Sequence, residues 1–150
     1  MKLSSRGHYG LRAMAQLARS YGSGPQALSE IARAEGLSVP YLEQIIGALR
    51  RAGLVEGSRG VHGGYELTRP PAEINAGEIL RALEGPLLLA ACVGDGDVGG
   101  SCQREAVCAT KSMWLRLRDT IASVLDSTSL ADLCQESVMT TAKSESAGDL

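Results

Sequence analysis

Apolar residues recur three and four positions apart over five stretches of the 150-residue chain, and a pair of short alternating runs lies between the third and fourth. Leu11, Met14, Ala15, Leu17 and Ala18 mark one side of a helix predicted from about Ser5 to Ser20, ahead of a break at Tyr21-Gly22-Ser23-Gly24-Pro25. A short helix is predicted over Leu28 to Glu35, stopping at Gly36, and a second opens after Ser38 and runs to about Arg51. Ser38 is suited to accept the orphan amides of that helix, and Pro40 near its start forfeits no intrahelical bond. Val39, Leu42, Ile45, Ile46 and Leu49 supply its apolar face. Beyond Gly53, Leu54-Val55-Glu56 and Tyr65-Glu66-Leu67 suggest two strands around the glycine-rich GSRGVHGG, and Arg69-Pro70-Pro71 closes the hairpin. Helix, tight turn, helix and hairpin together predict a winged helix-turn-helix, whose second helix can enter a DNA major groove.

Downstream, Ile74 to Leu83 predicts a helix with Ile79, Leu80 and Leu83 on one face, ending near Glu84-Gly85-Pro86. The run Leu87–Ala91 leads into CVGDGDVGGSCQREAVCATK, whose glycines and aspartates predict a loop. Lys111 to about Leu125 predicts a long helix, with Met113, Trp114, Leu117, Ile121, Val124 and Leu125 forming a broad apolar face. A chain this small has few surfaces of its own to cover such a face. Pairing with the same helix of a second copy solves the problem, and a twofold homodimer suits a palindromic operator. Ser129 to Cys134 reads as a short turn or helix, and Val138 to Leu150 as a polar tail without fixed structure. The expected fold is mainly α with a small β-hairpin wing, divided into a DNA-binding domain (1–71), a cysteine-loop and dimerisation-helix region (72–133) and a tail (134–150). With no apolar run long enough to span a bilayer and a polar opening MKLSSRGHYG, a cytoplasmic location is expected.

A net charge of −2 sits oddly with DNA binding until the chain is divided. Residues 1–71 hold nine Lys or Arg against five Asp or Glu, whereas residues 72–150 hold six against twelve. The positive half is the winged-helix half. Within it, Glu43 and Gln44 are suited to base edges, since Glu accepts from a cytosine amine and Gln pairs bidentately with adenine. Tyr41 and Arg50 stand elsewhere on the same helix. Arg59 rides on the wing, where a guanidinium can enter a narrow minor groove. Arg6, Arg12 and Arg19 on the first helix are phosphate candidates. The bland alternative makes all of these solvated surface. No Phe, one Trp and four Tyr leave no stacking platform for single strands, so double-stranded DNA is the expected partner. Two histidines outside any acid or nucleophile motif, and no glycine-rich nucleotide loop after a strand, argue against an enzyme.

Cys92, Cys102 and Cys108 are spaced C-x9-C-x5-C just ahead of the long helix. Three thiolates on a glycine-rich loop can converge on a soft centre, either an iron–sulfur cluster or zinc. A zinc site more usually shows closely paired cysteines. Buried structural cysteines and a metal-free thiol switch are the other readings. A fourth ligand would come from His8, His62, Cys134, a carboxylate or a small exogenous molecule. Cys134 falls at the far end of the long helix and His62 on the wing, which leaves His8, reaching across from a second chain, as the favoured donor.

The opening MKLSSRGHYGLRAM, the block LSVPYLEQIIGALRRAGLVEGSRGVHGGYEL and the three-cysteine stretch leading into CATKSMWLRLRD resemble the IscR/NsrR type of winged-helix transcription regulator over about residues 1–133. The resemblance implies a homodimer crossed through its long helices, with an iron–sulfur cluster, two-iron or four-iron, near their interface. It places Glu43 and Gln44 at base-approaching positions, Arg59 at the minor-groove position of the wing, and Cys92, Cys102 and Cys108 at the cluster cysteines. Two departures stand out. The first cysteine gap is longer than in the iron–sulfur biogenesis regulator. Lys111 also occupies the place of that regulator's histidine ligand, and an ammonium is a poor iron ligand. The nitric-oxide-sensing branch is more similar, since its fourth ligand is an acidic residue from the partner's first helix at the position that His8 occupies here.

Overall fold

The computed structural model describes residues 3–90, 92–94 and 102–137. Among the described residues, five α-helices between Ser5 and Ser127, a further helical segment near the end and two small antiparallel hairpins build it, so the mainly helical winged architecture expected from the sequence is present. Helix α1 (Ser5–Arg19) lies across α2 (Leu28–Glu35) and α3 (Val39–Arg51), and their apolar stripes share one core. Met14, Leu17, Ile31, Leu42, Ile45, Ile46 and Leu49 are almost completely buried in it. Val39 is a correction, for it stands 39% exposed at the first position of α3, beyond the edge of the core. The α2–α3 turn is made by Gly36 in the left-handed conformation (φ 66°), which closes α2. Ser38 Oγ then accepts the Tyr41 amide and opens α3.

The wing pairs β1 (Val55–Ser58) with β2 (Gly64–Leu67), Val55 opposite Leu67 and Ser58 opposite Gly64. Its strands run slightly closer to the tip than the apolar alternation suggests, because backbone pairing continues through Gly57, Ser58 and Gly64. The segment before α2 adds a third edge: Gln26 N–H donates to Tyr65 O at 2.9 Å, and Tyr65 N–H donates to Gln26 O at 2.8 Å. These backbone bonds, together with Val55 and Leu67 buried in the shared core, fix the hairpin to the helix-turn-helix.

Helix α4 (Ala76–Glu84) begins at a capping box in which Asn75 Oδ1 accepts the Glu78 amide and Glu78 Oε2 accepts the Asn75 amide. It packs along α1 at two glycines. A Cβ at Gly10 would overlap the Leu83 side chain, and one at Gly7 would crowd Leu80 and Glu84. Glu84 in turn accepts from the Ser4 hydroxyl and from the Gly7 amide at 2.9 Å, closing the start of α1 from across the fold.

The stretch after α4 differs from the expected loop. β3 (Leu88–Ala90) pairs with β4 (Val93–Gly94) in a second small hairpin, with Val93 buried and Cys92 at its turn. Residues 95–101, the centre of the expected cysteine loop, lie outside the described residues, as does the expected tail at 138–150. Helix α5 (Lys111–Ser127) runs slightly longer than expected, and none of its residues is buried within the chain. Met113, Leu117 and Val124 remain exposed on it. Past α5 the chain returns to the DNA-binding half. Ala76 N–H donates to Thr128 O and Leu130 N–H to Ile74 O, both at 2.9 Å. Residues 130–137 are helical, with Leu130 fully buried and Leu133 against the core. Order therefore extends past residue 134, where the tail was expected to begin, because Leu130 and Leu133 anchor that helix. No helix among the described residues is long and apolar enough to cross a membrane.

Candidate nucleic-acid interface and cysteine segment

Glu43, Gln44 and Arg50 are exposed on α3, on the side away from Ile45, Ile46 and Leu49. Arg59 is exposed beyond the end of β1, and Val61 at the same tip is 98% exposed. Arg50 and Arg59 line one cleft of about 360 Å³, together with Ser58, Tyr65 and the start of α2 at Ala27 and Leu28. Two guanidinium groups, a hydroxyl and the amide end of a helix thus face one concavity, a chemistry suited to phosphate oxygens.

Other expected DNA contacts are placed differently. Tyr41 is half-buried, with its ring edge-on to Tyr9 at 6.2 Å between centroids. Arg6 is half-buried on the first turn of α1, its Nε closed off without a hydrogen-bond partner among the described residues. Arg12 forms an ion pair with the buried Glu35 at 2.6 Å and lies over the Tyr9 ring. Gln16 donates to the other oxygen of Glu35 at 2.9 Å. Arg19 donates to Ser137 Oγ at 3.3 Å. The pairing of Glu35 with Arg12 is not legible in the residue pattern, because the burial of Glu35 depends on how α1 crosses α2.

The four cysteines are free thiols in separate settings. Cys102 is exposed; Cys92 and Cys108 are partly so. Cys134, on the helical segment 130–137, points its thiol at Ala15 O at 3.8 Å. Cys108 sits just ahead of α5, its Sγ 3.4 Å from Thr110 Oγ1. The Thr110 hydroxyl, then the Thr110 and Lys111 amides and the Arg104 charge, hold the Cys108 thiol below the usual range against a smaller opposing effect of burial. Lys111 is paired with Glu105. His8 is exposed near the start of α1, edge-on to Tyr9. Among the described residues no three His, Cys, Asp or Glu side chains come close enough to hold one metal ion. Within a single chain, then, Cys92, Cys102, Cys108 and His8 do not assemble the donor set that a cluster or zinc requires.

Residues 3–136 match the Rrf2 family model, described as an iron-dependent transcriptional regulator. The chain belongs to the Rrf2 family. Among Rrf2-type relatives, the HTH-type transcriptional regulator CymR of Bacillus subtilis is 44% identical over 133 residues, 89% of each chain. The solved structure of that protein, called the global cysteine regulator, superposes with a TM-score of 0.73 at 43% identity, covering 91% of this chain and 98% of that one. IscR of T. potens gives 0.72 at 42% identity, covering 91% and 88%. The oxidized form of Staphylococcus aureus CymR also gives 0.72 at 42%, covering 89% and 96%. The present Rrf2 chain is accordingly a DNA-binding transcription regulator and not an enzyme. Its long C-terminal helix matches the dimerisation architecture of these structures.

Proposed function

We propose that this regulator binds a palindromic duplex as a homodimer paired through α5, and that thiol chemistry at Cys108 sets its affinity for that duplex. The reading of the DNA face rests on α3 presenting Glu43 and Gln44 to solvent and on Arg50 and Arg59 lining one cleft between α3 and the wing. Glu43 and Gln44 meet base edges in the major groove. Arg59 follows the adjacent minor groove, and Arg50 takes a phosphate. Tyr41 acts from behind, its ring set edge-on against Tyr9 of α1.

The sensing half rests on one observation, the Cys108 thiol seated at the amide end of α5. A thiolate there attacks the terminal oxygen of a hydroperoxide. The O–O bond breaks, the leaving oxygen takes a proton to give an alcohol or water, and Cys108 becomes a sulfenic acid. A second thiol, from Cys102 or a small-molecule thiol, then displaces water and forms a disulfide, so that two electrons in all have passed to the peroxide. The lost thiolate no longer accepts the first amides of α5, and the start of the dimer helix is altered. The similarity to a CymR described in an oxidized form agrees with this reading.

A second reading is favoured by the family's description as iron-dependent. In the assembled dimer Cys92, Cys102 and Cys108, with the partner's His8, would hold an iron–sulfur cluster, which supplies a redox- and nitric-oxide-sensitive centre when bound. The deciding experiment is anaerobic purification followed by a visible spectrum, iron, sulfide and zinc assays, and thiol titration. A colourless protein with titratable Cys108 and peroxide-dependent DNA binding is the expected result. Matched iron and sulfide, or one zinc per chain, overturns the metal-free switch.

A further inference from the structure

Two recognition helices of a dimeric helix-turn-helix protein engage successive major grooves only when they stand about one turn of DNA apart. That separation is set by the angle at which each DNA-binding unit meets the dimer helix. In this chain α4 is the bracket between the two. One side of it is locked to α1 through Gly7 and Gly10, as described above. Its first turn meets α5 at Gly77, where a Cβ would overlap Asp126 Oδ1 and crowd Arg81. One turn further on, Arg81 grips the same carboxylate as a fork, Nη1–H donating to Oδ1 at 2.6 Å and Nη2–H to Oδ2 at 3.3 Å. Immediately after α5, the backbone bonds from Ala76 to Thr128 and from Leu130 to Ile74 fix the chain to the start of α4. At its other end α5 is tied more loosely, Arg118 donating to Gly94 O at 3.3 Å.

We infer that Gly77, Arg81 and Asp126 are positioning residues that fix the crossing of α4 and α5, and through it the half-site spacing this regulator accepts on its operator. The Arg81–Asp126 fork is seated directly over Gly77, so a Cβ at 77 would displace the fork rather than the backbone of either helix. The fork geometry is directional, so it resists rotation of α5 as well as separation. One base pair of spacing is only about 3.4 Å, so a modest tilt at this crossing changes which spacing is bound. The inference rests on the dimer reading proposed above.

The test uses full-length protein and a palindromic duplex selected by the wild type from a random-sequence library. The two half-sites are then moved together or apart by one and two base pairs, with a single half-site duplex as control. Wild type is expected to show a sharp spacing optimum. Gly77→Ala is expected to lose about ten-fold in affinity at that optimum, a coupling typical of contacting residues, and to shift or broaden the profile. Its dimer mass and half-site affinity should stay those of wild type. Asp126→Ala, which alters only a partly exposed pair, should broaden the profile by itself. In that background Gly77→Ala should add little, because the carboxylate it collides with is gone. A profile for Asp126→Ala that matches wild type overturns the inference even if Gly77→Ala folds poorly. So does a Gly77→Ala protein that loses half-site and full-site affinity equally. A wild type with no spacing optimum overturns the dimer reading along with this one, whereas an optimum shared by both variants overturns this inference alone.

Discussion

Arg59 and Gln44 occupy the same DNA face, yet their chemistry separates their roles. An arginine on a glycine-flanked tip contributes mainly charge and shape recognition, so Arg59→Ala should weaken binding across sequences and reduce the slope of log affinity against log salt by about one. A glutamine paired with adenine contributes discrimination instead. Gln44→Ala should cost about 1–3 kcal/mol on the preferred base pair and relax preference there, with the salt slope unchanged. Titrations of both variants at two or more salt concentrations distinguish the assignments; identical salt and sequence effects for the two would refute them. At Cys108 the relevant contrast is with Cys102, which is more exposed and stands further from α5 along the chain. Cys108→Ser should abolish peroxide-dependent loss of DNA binding, while Cys102→Ser should slow or divert only the second step. Retention of the peroxide response in Cys108→Ser would remove it as the sensing thiol.

The helices were readable where side chains carried the signal. Leu42, Ile45, Ile46 and Leu49 defined the buried face of α3, and Ser38 and Gly36 its approach. The α1–α4 contact was not, because Gly7 and Gly10 lie on the buried face of α1 and hydrophobic periodicity cannot register a glycine. Gly10→Val should therefore destabilise the protein by about 1–3 kcal/mol through overpacking against Leu83, measurable by denaturant unfolding. The capping box of α4 was written in Asn75 and Glu78, three residues apart, but its value depends on Arg69, which reaches Glu78 at 2.9 Å. Partial burial would raise the Glu78 carboxyl, yet the Arg69 hydrogen bond, the Asn75 amide and the Arg69 charge outweigh it and hold the group below the ordinary carboxylate range. A carboxyl depressed in the folded state stabilises above its unfolded value and loses that contribution as pH falls through the folded one. The melting-temperature gap between wild type and Glu78→Gln should thus close on acidification through the carboxylate range. A gap constant with pH would contradict it. The second hairpin is not legible in the sequence because Gly94 and the short Leu88–Ala90 strand are fixed by pairing and by Arg118 rather than by pattern.

At the scale of the molecule, Leu130 joins the core formed by α1–α3 from beyond α5. Leu130→Ala should cost about 2–5 kcal/mol and lower the stability of the DNA-binding half along with that of the remainder. The metal question was the least readable. Three cysteines and a histidine can be counted in a sequence, but whether they converge is a matter of three-dimensional placement that residue spacing does not encode. The wing offers a different kind of consequence. Because main-chain pairing at Gln26 and Tyr65 secures its base, no side chain from Arg59 to His62 is needed to hold the wing in place. Evolution can therefore rewrite that tip as an interchangeable cartridge, retargeting the regulator within a genome while leaving the machinery that reports its signal intact.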